Sequence, residues 1–288
     1  MQRAAPTPSP AQADPPGGRL SRRNFSRLAT FVTEYSGIRL PESKLTMVEG
    51  RLRRRLRATG HASFDAYCDH VFAAGRLSGE ILHLIDAVTT NKTDFFRESG
   101  HFTFLRETGL PALAAAGTRR LRAWSAACST GAEPWSLAMV LESAFQAPDR
   151  TWSILATDLS RNVLDVARLG IYPVDHLAPV PADLRRRFLL AAADPARSEM
   201  RIHARLRARV AFGRLNLMDA RYAVGEPMHV IFCRNVLIYF DRETQARVLA
   251  RLCEVLAPGG YLFIGHAESV TGLDLPLRAV GNTAFQRE

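Results

Sequence analysis

The chain has few cysteines, fewer acidic than basic residues, and no long apolar run. Its four cysteines are scattered through 288 residues without the spacing of metal ligands, which favours buried thiols in a reducing compartment. No apolar run approaches the ~20 residues that a membrane-spanning helix needs. The first residues also lack the apolar core of a signal peptide. These absences argue against a metal site, a disulfide framework and membrane insertion, and they favour a cytoplasmic protein.

The shortage of acids leaves a basic chain. Lys and Arg total 38 against 28 for Asp and Glu, so the formal net charge is +10. Such a balance favours an acidic partner, which could be nucleic acid, anionic lipid or an acidic protein surface. An arginine-rich composition can also reflect the host genome and carry no function. With 47% hydrophobic residues, the chain can build one large or two modest domains.

Two common nucleotide-binding loops are absent. The sequence shows neither Gly-x-Gly-x-x-Gly after a strand nor a Walker loop with Gly-Lys-Ser/Thr. Residues 121–140 instead predict a buried strand that ends near Cys128, a turn of small residues with one glycine, Gly131, and a helix that begins near Pro134. This order is typical of the first unit of a doubly wound α/β fold, which binds its ligand at the carboxyl end of the strand.

A carboxylate ends the next predicted strand, Thr151–Asp158. An acid in that place can accept hydrogen bonds from both hydroxyls of a ribose, although Asp158 could instead cap the following helix, as Ser160 could. In the preceding turn, Glu133 would repel a phosphate near the start of the helix. A nucleoside ligand with a positive charge and no phosphate suits the two acids, and S-adenosylmethionine is such a ligand.

Residues 19–88 predict a small helical domain that follows a disordered, Pro- and Ala-rich tail over residues 1–18. Four amphipathic patterns are separated by short loops, and a Ser or Pro precedes each of them. The second predicted helix carries a cluster of five arginines: Arg51, Arg53, Arg54, Arg55 and Arg57. With only Glu49 nearby, these side chains would repel one another, which favours an acidic partner opposite them. A solvated helix face is the alternative.

The remaining residues predict a linker and a mostly parallel sheet. Residues 89–118 form a linker and a helix, and the adjacent Phe95 and Phe96 favour packing of this linker over the ligand. Further strands are expected at Arg209–Phe212, Met228–Cys233, Tyr261–Gly265 and, as an antiparallel edge strand, Leu277–Gln286. Apolar residues that alternate with Arg or His from Met200 onward predict a small antiparallel β ribbon, inserted at about 185–212.

Four motifs resemble those of the chemotaxis receptor methyltransferases (CheR) and occur in the same order. They are Cys128-Ser-Thr-Gly-Ala-Glu-Pro-Trp-Ser136, Ala156-Thr-Asp158, Asn216-Leu217 and Phe232-Cys-Arg-Asn-Val-Leu-Ile-Tyr-Phe-Asp241. The resemblance runs from about Asn24 to the end of the chain. It implies an α/β fold, with a Rossmann-like class I methyltransferase sheet over residues 119–288, an N-terminal helical domain and an inserted small antiparallel β subdomain.

The same resemblance implies an activity. The cofactor would be S-adenosylmethionine, and the products would be glutamyl methyl esters on the cytoplasmic region of chemoreceptors. The helical domain, with its arginine cluster, would help to dock the receptor's methylation region. In some family members the inserted β subdomain captures a C-terminal receptor peptide by strand addition. Here the loop Ala191–Pro195 lacks the glycines expected in those members.

Site residues also follow from the resemblance. The cofactor would be contacted by Asn91, Thr93, Arg97, Glu133, Asp158, Asn216, Leu217, Arg234 and Asn235. Within this set, Asp158 would bind the ribose, Glu133 the cationic part of the cofactor, and Asn216 with Leu217 the adenosine. Arg97 and Tyr239 are the candidates for orienting the acceptor carboxylate, because a cation and a phenol both donate hydrogen bonds to it. No metal is expected.

Two other functions remain open from the sequence. A nucleic-acid methyltransferase would suit the basic charge, but neither an Asn/Asp-Pro-Pro-Tyr-like motif nor a Pro-Cys nucleophile is present. A non-catalytic module that binds S-adenosylmethionine or scaffolds an acidic partner would keep the same pocket motifs.

Overall fold

The computed structural model describes residues 18–73, 77–89, 91–194 and 196–288. The tail expected over residues 1–18 therefore lies almost wholly outside the described residues. The chain divides into two compact units, and the division falls within the first helix. One unit comprises residues up to Phe31 together with Leu40–Val88, and the other comprises Val32–Arg39 with Thr89–Glu288. None of the helices in the described ranges has the length and apolar character that crossing a bilayer requires.

Four helices account for the expected helical region. They are α1 (Arg22–Ser36), α2 (Leu45–Thr59), α3 (Phe64–Val71) and α4 (Leu77–Val88). The predicted caps at Ser21 and Ser63 are confirmed, because their hydroxyls accept hydrogen bonds from main-chain N–H groups of the first turns of α1 and α3, at 3.3 and 3.1 Å. The left-handed Gly60 ends α2 as predicted.

The arginine cluster on α2 is more neutralised than the sequence indicated. Arg53 pairs with Glu49 and lies over the Phe64 ring, 5.4 Å from its centroid. Arg55 donates to Glu80 of α4 at 2.9 Å, and this hydrogen bond holds the pKa of Glu80 below its usual range. The expectation that only Glu49 balances the cluster is therefore wrong, because α4 supplies a second acid. Arg54 and Arg57 are the members with exposed side chains.

The second unit is built on a seven-stranded sheet. In chain order, the unit's strands are β1 (Arg120–Ala126), β2 (Thr151–Asp158), β3 (Ile171–Pro173), β4 (Leu189–Ala191), β5 (Glu199–Ile202), β6 (Val210–Arg214), β7 (Met228–Cys233), β8 (Leu256–Ile264), β9 (Leu277–Gly281) and β10 (Ala284–Arg287). The large sheet has the order β6-β2-β1-β7-β8-β10-β9. The first five strands of that order run parallel, and β10 is antiparallel to both of its neighbours. The predicted doubly wound α/β sheet is confirmed.

Helices and a core cover both faces of this sheet. The helices are α5 (Gly100–Phe104), α6 (Leu110–Ala115), α7 (Ala132–Ala144), α8 (Arg161–Leu169), α9 (Ala182–Phe188), α10 (Ala204–Arg207) and α11 (Arg242–Val255). Along β7, Val230 and Phe232 enter one hydrophobic cluster, whereas Ile231 and Cys233 enter the other. Successive side chains of a strand point to opposite faces, so β7 is buried on both sides, as the continuous apolar runs predicted.

Three local predictions are wrong in detail. The inserted sheet has the order β3-β5-β4, so it begins before residue 185. The segment Met200–Phe212, expected as part of the β ribbon, is split between β5, α10 and β6. Of these, β6 belongs to the large sheet. His203 causes the split, since its ring nitrogen accepts the Arg205 N–H and caps α10. The last segment forms a hairpin that places β10 inside the sheet and β9 at its edge. The turn expected after Leu256 is an irregular stretch of β8.

Candidate functional site

The candidate site lies at the carboxyl ends of β1, β2 and β7, beside the switch point where the strand order changes direction. Five of the six non-glycine residues with positive φ among the described residues lie at or beside this edge: Phe96, Glu98, Ala127, Ser129 and Asn235. Left-handed backbone is costly for such residues and tends to gather at functional sites. The backbone itself therefore marks this edge of the sheet.

The turn between β1 and α7 depends on a glycine. Gly131 has a φ of 92°, and a Cβ at this position would lie 2.8 Å from both the Ala167 Cβ and the Tyr172 hydroxyl oxygen. The Tyr172 hydroxyl donates to the carbonyl of Thr130 at 2.6 Å and fixes the turn from outside. Only glycine combines this backbone with this close approach, so the one glycine noted in the sequence shapes the floor of the site.

Asp158 braces the same turn. Its carboxylate is 9% exposed and accepts the N–H of Ser129 at 2.8 Å and that of Ser160 at 2.9 Å. The side chain of Ser160 caps α8 by accepting from Val163. Ser160 is thus the N-cap residue, and Asp158 accepts the N–H of that residue while it also accepts the N–H of Ser129 in the turn. The Ser129 hydroxyl donates to the carbonyl of Asn91 at 2.9 Å, which joins the linker to the turn.

A buried ion network lies beside this turn. The Nε of Arg234 lies 2.8 Å from a carboxylate oxygen of Glu133, and the other oxygen of Glu133 accepts from Ser125 at 2.6 Å. Arg234 also donates to the carbonyl of Arg97 at 2.8 Å. Its side chain is 2% exposed, and one of its nitrogens lies 3.4 Å from Glu98. Two residues that the sequence assigned separately to the cofactor thus form one ion network with the linker, in which two carboxylates face one guanidinium.

Glu98 ties the linker to the tip of β7. It accepts a hydrogen bond from the side-chain amide of Asn235 at 3.0 Å and one from the N–H of His266 at 3.3 Å. Burial raises the pKa of Glu98, but these hydrogen bonds and the nearby Arg234 outweigh that effect and hold the pKa below its usual range. Glu98 is therefore ionised near neutral pH and is a second negative charge beside Arg234.

His101 was missed by the sequence reasoning. The buried ring accepts from Arg234 through Nδ1 at 3.0 Å, because a guanidinium can only donate. Its Nε2 then carries the proton and donates to the carbonyl of Asn282 and the hydroxyl of Thr283, at 3.1 and 2.9 Å. Burial and the Arg234 charge lower the pKa of His101 to about 4. It is a neutral structural imidazole, and the only signal for it in the sequence is its position four residues after Arg97.

Glu98, His101 and His266 form a group whose ligand atoms all lie within 4.8 Å of one another. A metal ion there would lie beside the guanidinium of Arg234, which already occupies His101 Nδ1 and lies close to Glu98. Like charges at such a distance repel strongly in a buried site. The group is better described as part of the Arg234 network than as a metal centre.

The other predicted site residues lie in the loop after β6, in the short helical turn after β7 and in the linker. The amide of Asn216 donates to the carbonyl of Tyr35 at 2.7 Å and accepts from the N–H of Met218, so both of its polar atoms shape the loop after β6. Leu217 is buried in the cluster that contains Tyr222. Thr93 is half-buried, as is Tyr239, which lies in a short helical turn after β7. Arg97 donates to the carbonyl of Lys92 at 3.2 Å.

Cysteine chemistry finds no support at this edge. Cys128 follows β1 by two residues and Cys233 ends β7; both are buried, as are the other two cysteines, Cys68 and Cys253. Burial raises the pKa values of the Cys128 and Cys233 thiols well above their usual range, and the nearby carboxylates raise them further. A nucleophilic cysteine needs the opposite environment. These thiols are core residues, as the sequence indicated.

The residues at this edge fit S-adenosylmethionine. The three carboxylates Glu98, Glu133 and Asp158 lie at this edge of the sheet, while the buried guanidinium of Arg234 is already paired with two of them. The excess of negative charge suits a ligand that carries a sulfonium and an ammonium group. It would oppose a pyrophosphate, and the turn lacks the glycine-rich amide cradle that binds one.

Comparisons with known proteins agree with S-adenosylmethionine as the cofactor. Residues 91–285 match the model of the CheR methyltransferase SAM-binding domain, and residues 23–89 match that of its all-alpha domain. The chain is 40% identical over 265 residues to chemotaxis protein methyltransferase 2 of Pseudomonas aeruginosa, covering 92% of this chain and 93% of the relative. It is 38% identical over 269 residues to the chemotaxis protein methyltransferase of Salmonella typhimurium, covering 92% and 90%. The cofactor of the matched domain is S-adenosylmethionine, and the chain belongs to the CheR methyltransferase family.

Proposed function

We propose that this chain methylates the side-chain carboxylates of glutamates on chemoreceptors. The observation that carries this proposal is the group of three carboxylates, Glu98, Glu133 and Asp158, at the carboxyl edge of a sheet whose first turn has no phosphate-binding loop. The names of the relatives, which are chemotaxis protein methyltransferases, support the acceptor. When bound, S-adenosylmethionine supplies a methyl group activated by the sulfonium.

Position at the sheet edge supports the proposed cofactor-binding roles. Asp158 accepts the ribose hydroxyls from the tip of β2, where an acid commonly does so. Glu133 provides negative charge toward the cationic part of the cofactor, and the loop of Asn216 and Leu217 borders the adenosine. Arg234 and Asn235 line the pocket from the tip of β7, while Asn91, Thr93 and Arg97 cover it from the linker, which the Ser129–Asn91 hydrogen bond holds against the turn.

The acceptor needs orientation more than activation. A glutamate carboxylate has a reference pKa of about 4.3 and is ionised near neutral pH, so it is a nucleophile without a general base. Arg97 and Tyr239 orient it by donating hydrogen bonds, which is a role open to a half-buried cation and a half-buried phenol. The neutral, fully engaged His101 is consistent with a reaction that needs no base. Positioning and exclusion of water supply the rate enhancement.

Receptor docking is assigned to two surfaces. Arg54 and Arg57 are the exposed arginines of the α2 cluster, and they face an acidic segment of the receptor. The small sheet leaves β4 as an edge strand, with Leu190 exposed, and a receptor peptide could add to that edge by strand addition. The peptide at this edge stays a prediction.

A methyl-transfer assay tests the proposed function. The purified chain is incubated with methyl-labelled S-adenosylmethionine and membranes that contain chemoreceptors, and labelled protein is then treated with mild base. We expect receptor label that base releases, because a glutamyl methyl ester is hydrolysed by base whereas methylated amides and amines are stable. Label in added RNA would instead support a nucleic-acid methyltransferase. Cofactor binding without any transfer would support a non-catalytic module.

A further inference from the structure

A buried carboxylate that has no assigned role lies against the loop that follows β7. Glu268 follows β8 and is 7% exposed. One oxygen accepts the N–H groups of Leu237 at 2.7 Å and Ile238 at 3.4 Å. The other accepts those of Gly265 at 2.5 Å and Asn235 at 3.1 Å. Four main-chain donors from two separate segments thus converge on one carboxylate.

The loop held by this carboxylate is the one that carries site residues. It leaves β7 at Cys233 and runs through Arg234 and Asn235 to the short helical turn Leu237–Tyr239. Asn235 is left-handed, with a φ of 57°, so the loop conformation is costly without external support. Glu268 supplies that support at the N–H of Asn235 and at the first two N–H groups of the helical turn.

The end of β8 comes close enough to share the carboxylate because it carries a glycine. A Cβ on Gly265 would lie 2.5 Å from the Asn235 side-chain nitrogen and 2.9 Å from a Glu268 oxygen. No side chain fits that gap. Gly265 and Glu268 therefore act together: the glycine allows the close approach, and the carboxylate binds the main-chain N–H groups of the loop.

We propose that Glu268 is a positioning residue for methyl transfer, which fixes the loop Arg234–Tyr239 through its main-chain amides. This role rests on the function proposed above, since the loop presents Arg234 and Asn235 to the cofactor and Tyr239 to the acceptor. A carboxylate is the side chain required, because only an ionised acid offers acceptors on both oxygens to four converging donors. A glutamine would turn an NH₂ group against two of these N–H groups and leave them unpaired.

The test compares Glu268→Gln with Glu254→Gln, a control on an exposed glutamate of α11. Amide hydrogen exchange is measured without substrate, and methyl transfer is measured at saturating cofactor. We expect exchange across residues 234–240 to be at least tenfold faster in Glu268→Gln, with β1 unchanged, and kcat to fall at least tenfold. Glu254→Gln should match the wild type in both measurements. A fold destabilised as a whole would instead speed exchange in β1 as well.

A second variant, at Gly265, tests the same contact between Glu268 and the loop. Gly265→Ala places a methyl group against Glu268 and Asn235 and should loosen the same loop, even if Glu268→Gln does not fold. Unchanged exchange across residues 234–240 in either folded variant, or an unchanged kcat in Glu268→Gln, would overturn the positioning role. Failure of the wild type to methylate receptors would instead refute the proposed function, and the exchange result would then report on loop bracing alone.

Discussion

The Nε of Arg234 lies 2.8 Å from the Glu133 carboxylate, and the two side chains are 2% and 10% exposed. The pair joins the tip of β7 to the first turn of α7 across the carboxyl edge of the sheet. Removing one member of a buried pair leaves the other charge buried and unpaired, which lowers the free energy of unfolding far more than the loss of an exposed pair does. The sequence assigned both residues to the cofactor, and the structure shows that each also depends on the other.

Glu133→Gln should therefore destabilise the second unit as well as weaken cofactor binding. We expect its free energy of unfolding to fall by about 3 kcal/mol, since the Arg234 charge remains buried with one partner fewer. All three tryptophans, Trp124, Trp135 and Trp152, belong to this unit, so their fluorescence follows its unfolding. Glu107→Gln, which removes a carboxylate from an exposed ion pair, is the control and should change stability little. Equal stabilities of the two variants would contradict the buried-pair account.

The turn glycine gives a second prediction. Gly131→Ala should lower the stability of the second unit by about 2 kcal/mol, because the backbone is left-handed and the new methyl group would press on Ala167 and Tyr172. It should also weaken the binding of S-adenosylmethionine, measured by calorimetry. Gly213→Ala is the matched control, since nothing lies within 4 Å of a Cβ there. If Gly131→Ala bound the cofactor like the wild type, the turn would not form the floor of the site.

His101 predicts how stability depends on pH. The unfolded chain binds this proton near pH 6.5 and the folded chain only near pH 4, so the unfolded form takes up more protons between these values. The free energy of unfolding of the second unit should therefore fall by about 2 kcal/mol from this group as the pH drops from about 7 to about 5.

Two variants isolate that contribution. His101→Gln removes the titrating ring, so its stability should fall less over the same pH range than that of the wild type. Leu105→Ala removes a fully buried side chain of the same helical segment and should cost 2 to 5 kcal/mol at every pH, roughly, without changing the slope. If His101→Gln kept the wild-type pH slope, the buried ring would not be the group that titrates.

The exposed arginines of α2 predict a change in receptor affinity alone. Reversing Arg54 and Arg57 to Glu should raise the apparent KM for receptor at least tenfold at low salt and leave cofactor affinity unchanged, because both side chains are exposed and neither is paired with an acid among the described residues of its unit. Arg53 and Arg55 are unsuitable for this test because their ion pairs contribute to the helical unit itself. A double reversal of the exposed Arg120 and Arg278 makes the same change in net charge and should leave KM unaltered. If both double reversals raised the KM equally, the effect would come from the net charge of the protein and not from the α2 surface.

Local signals made much of the molecule predictable. Ser21, Ser63 and Gly60 mark helix ends through contacts with their immediate neighbours, and the helices follow as predicted. The turn at Gly131 and the acid at Asp158 are also predictable from the sequence, because strand, turn and helix are adjacent in the chain. Where neighbours along the chain determine the structure, the sequence pattern is sufficient.

The rest of the site depends on residues that only the fold brings together. Arg234 meets Glu133 across 101 positions, and Asn235 meets Glu98 across 137. No periodicity reports such a contact, so His101, Glu98 and Glu268 gave no usable signal of their own. Glu80 was missed for the same reason, and with it the neutralisation of Arg55. In the insert, alternation predicted one strand where a histidine cap starts a helix, a case of side-chain chemistry overriding the pattern.

The binding of S-adenosylmethionine at the carboxyl edge beside Gly131 and Asp158 is the central claim, and calorimetry on Asp158→Ala tests it most directly. We predict a cofactor affinity at least tenfold below that of the wild type, because the ribose hydroxyls lose their acceptor and the Ser129 amide loses its brace. Asp165→Ala, which alters an exposed aspartate on the neighbouring α8, should bind like the wild type. Undiminished binding by a folded Asp158→Ala would place the cofactor elsewhere and contradict the account.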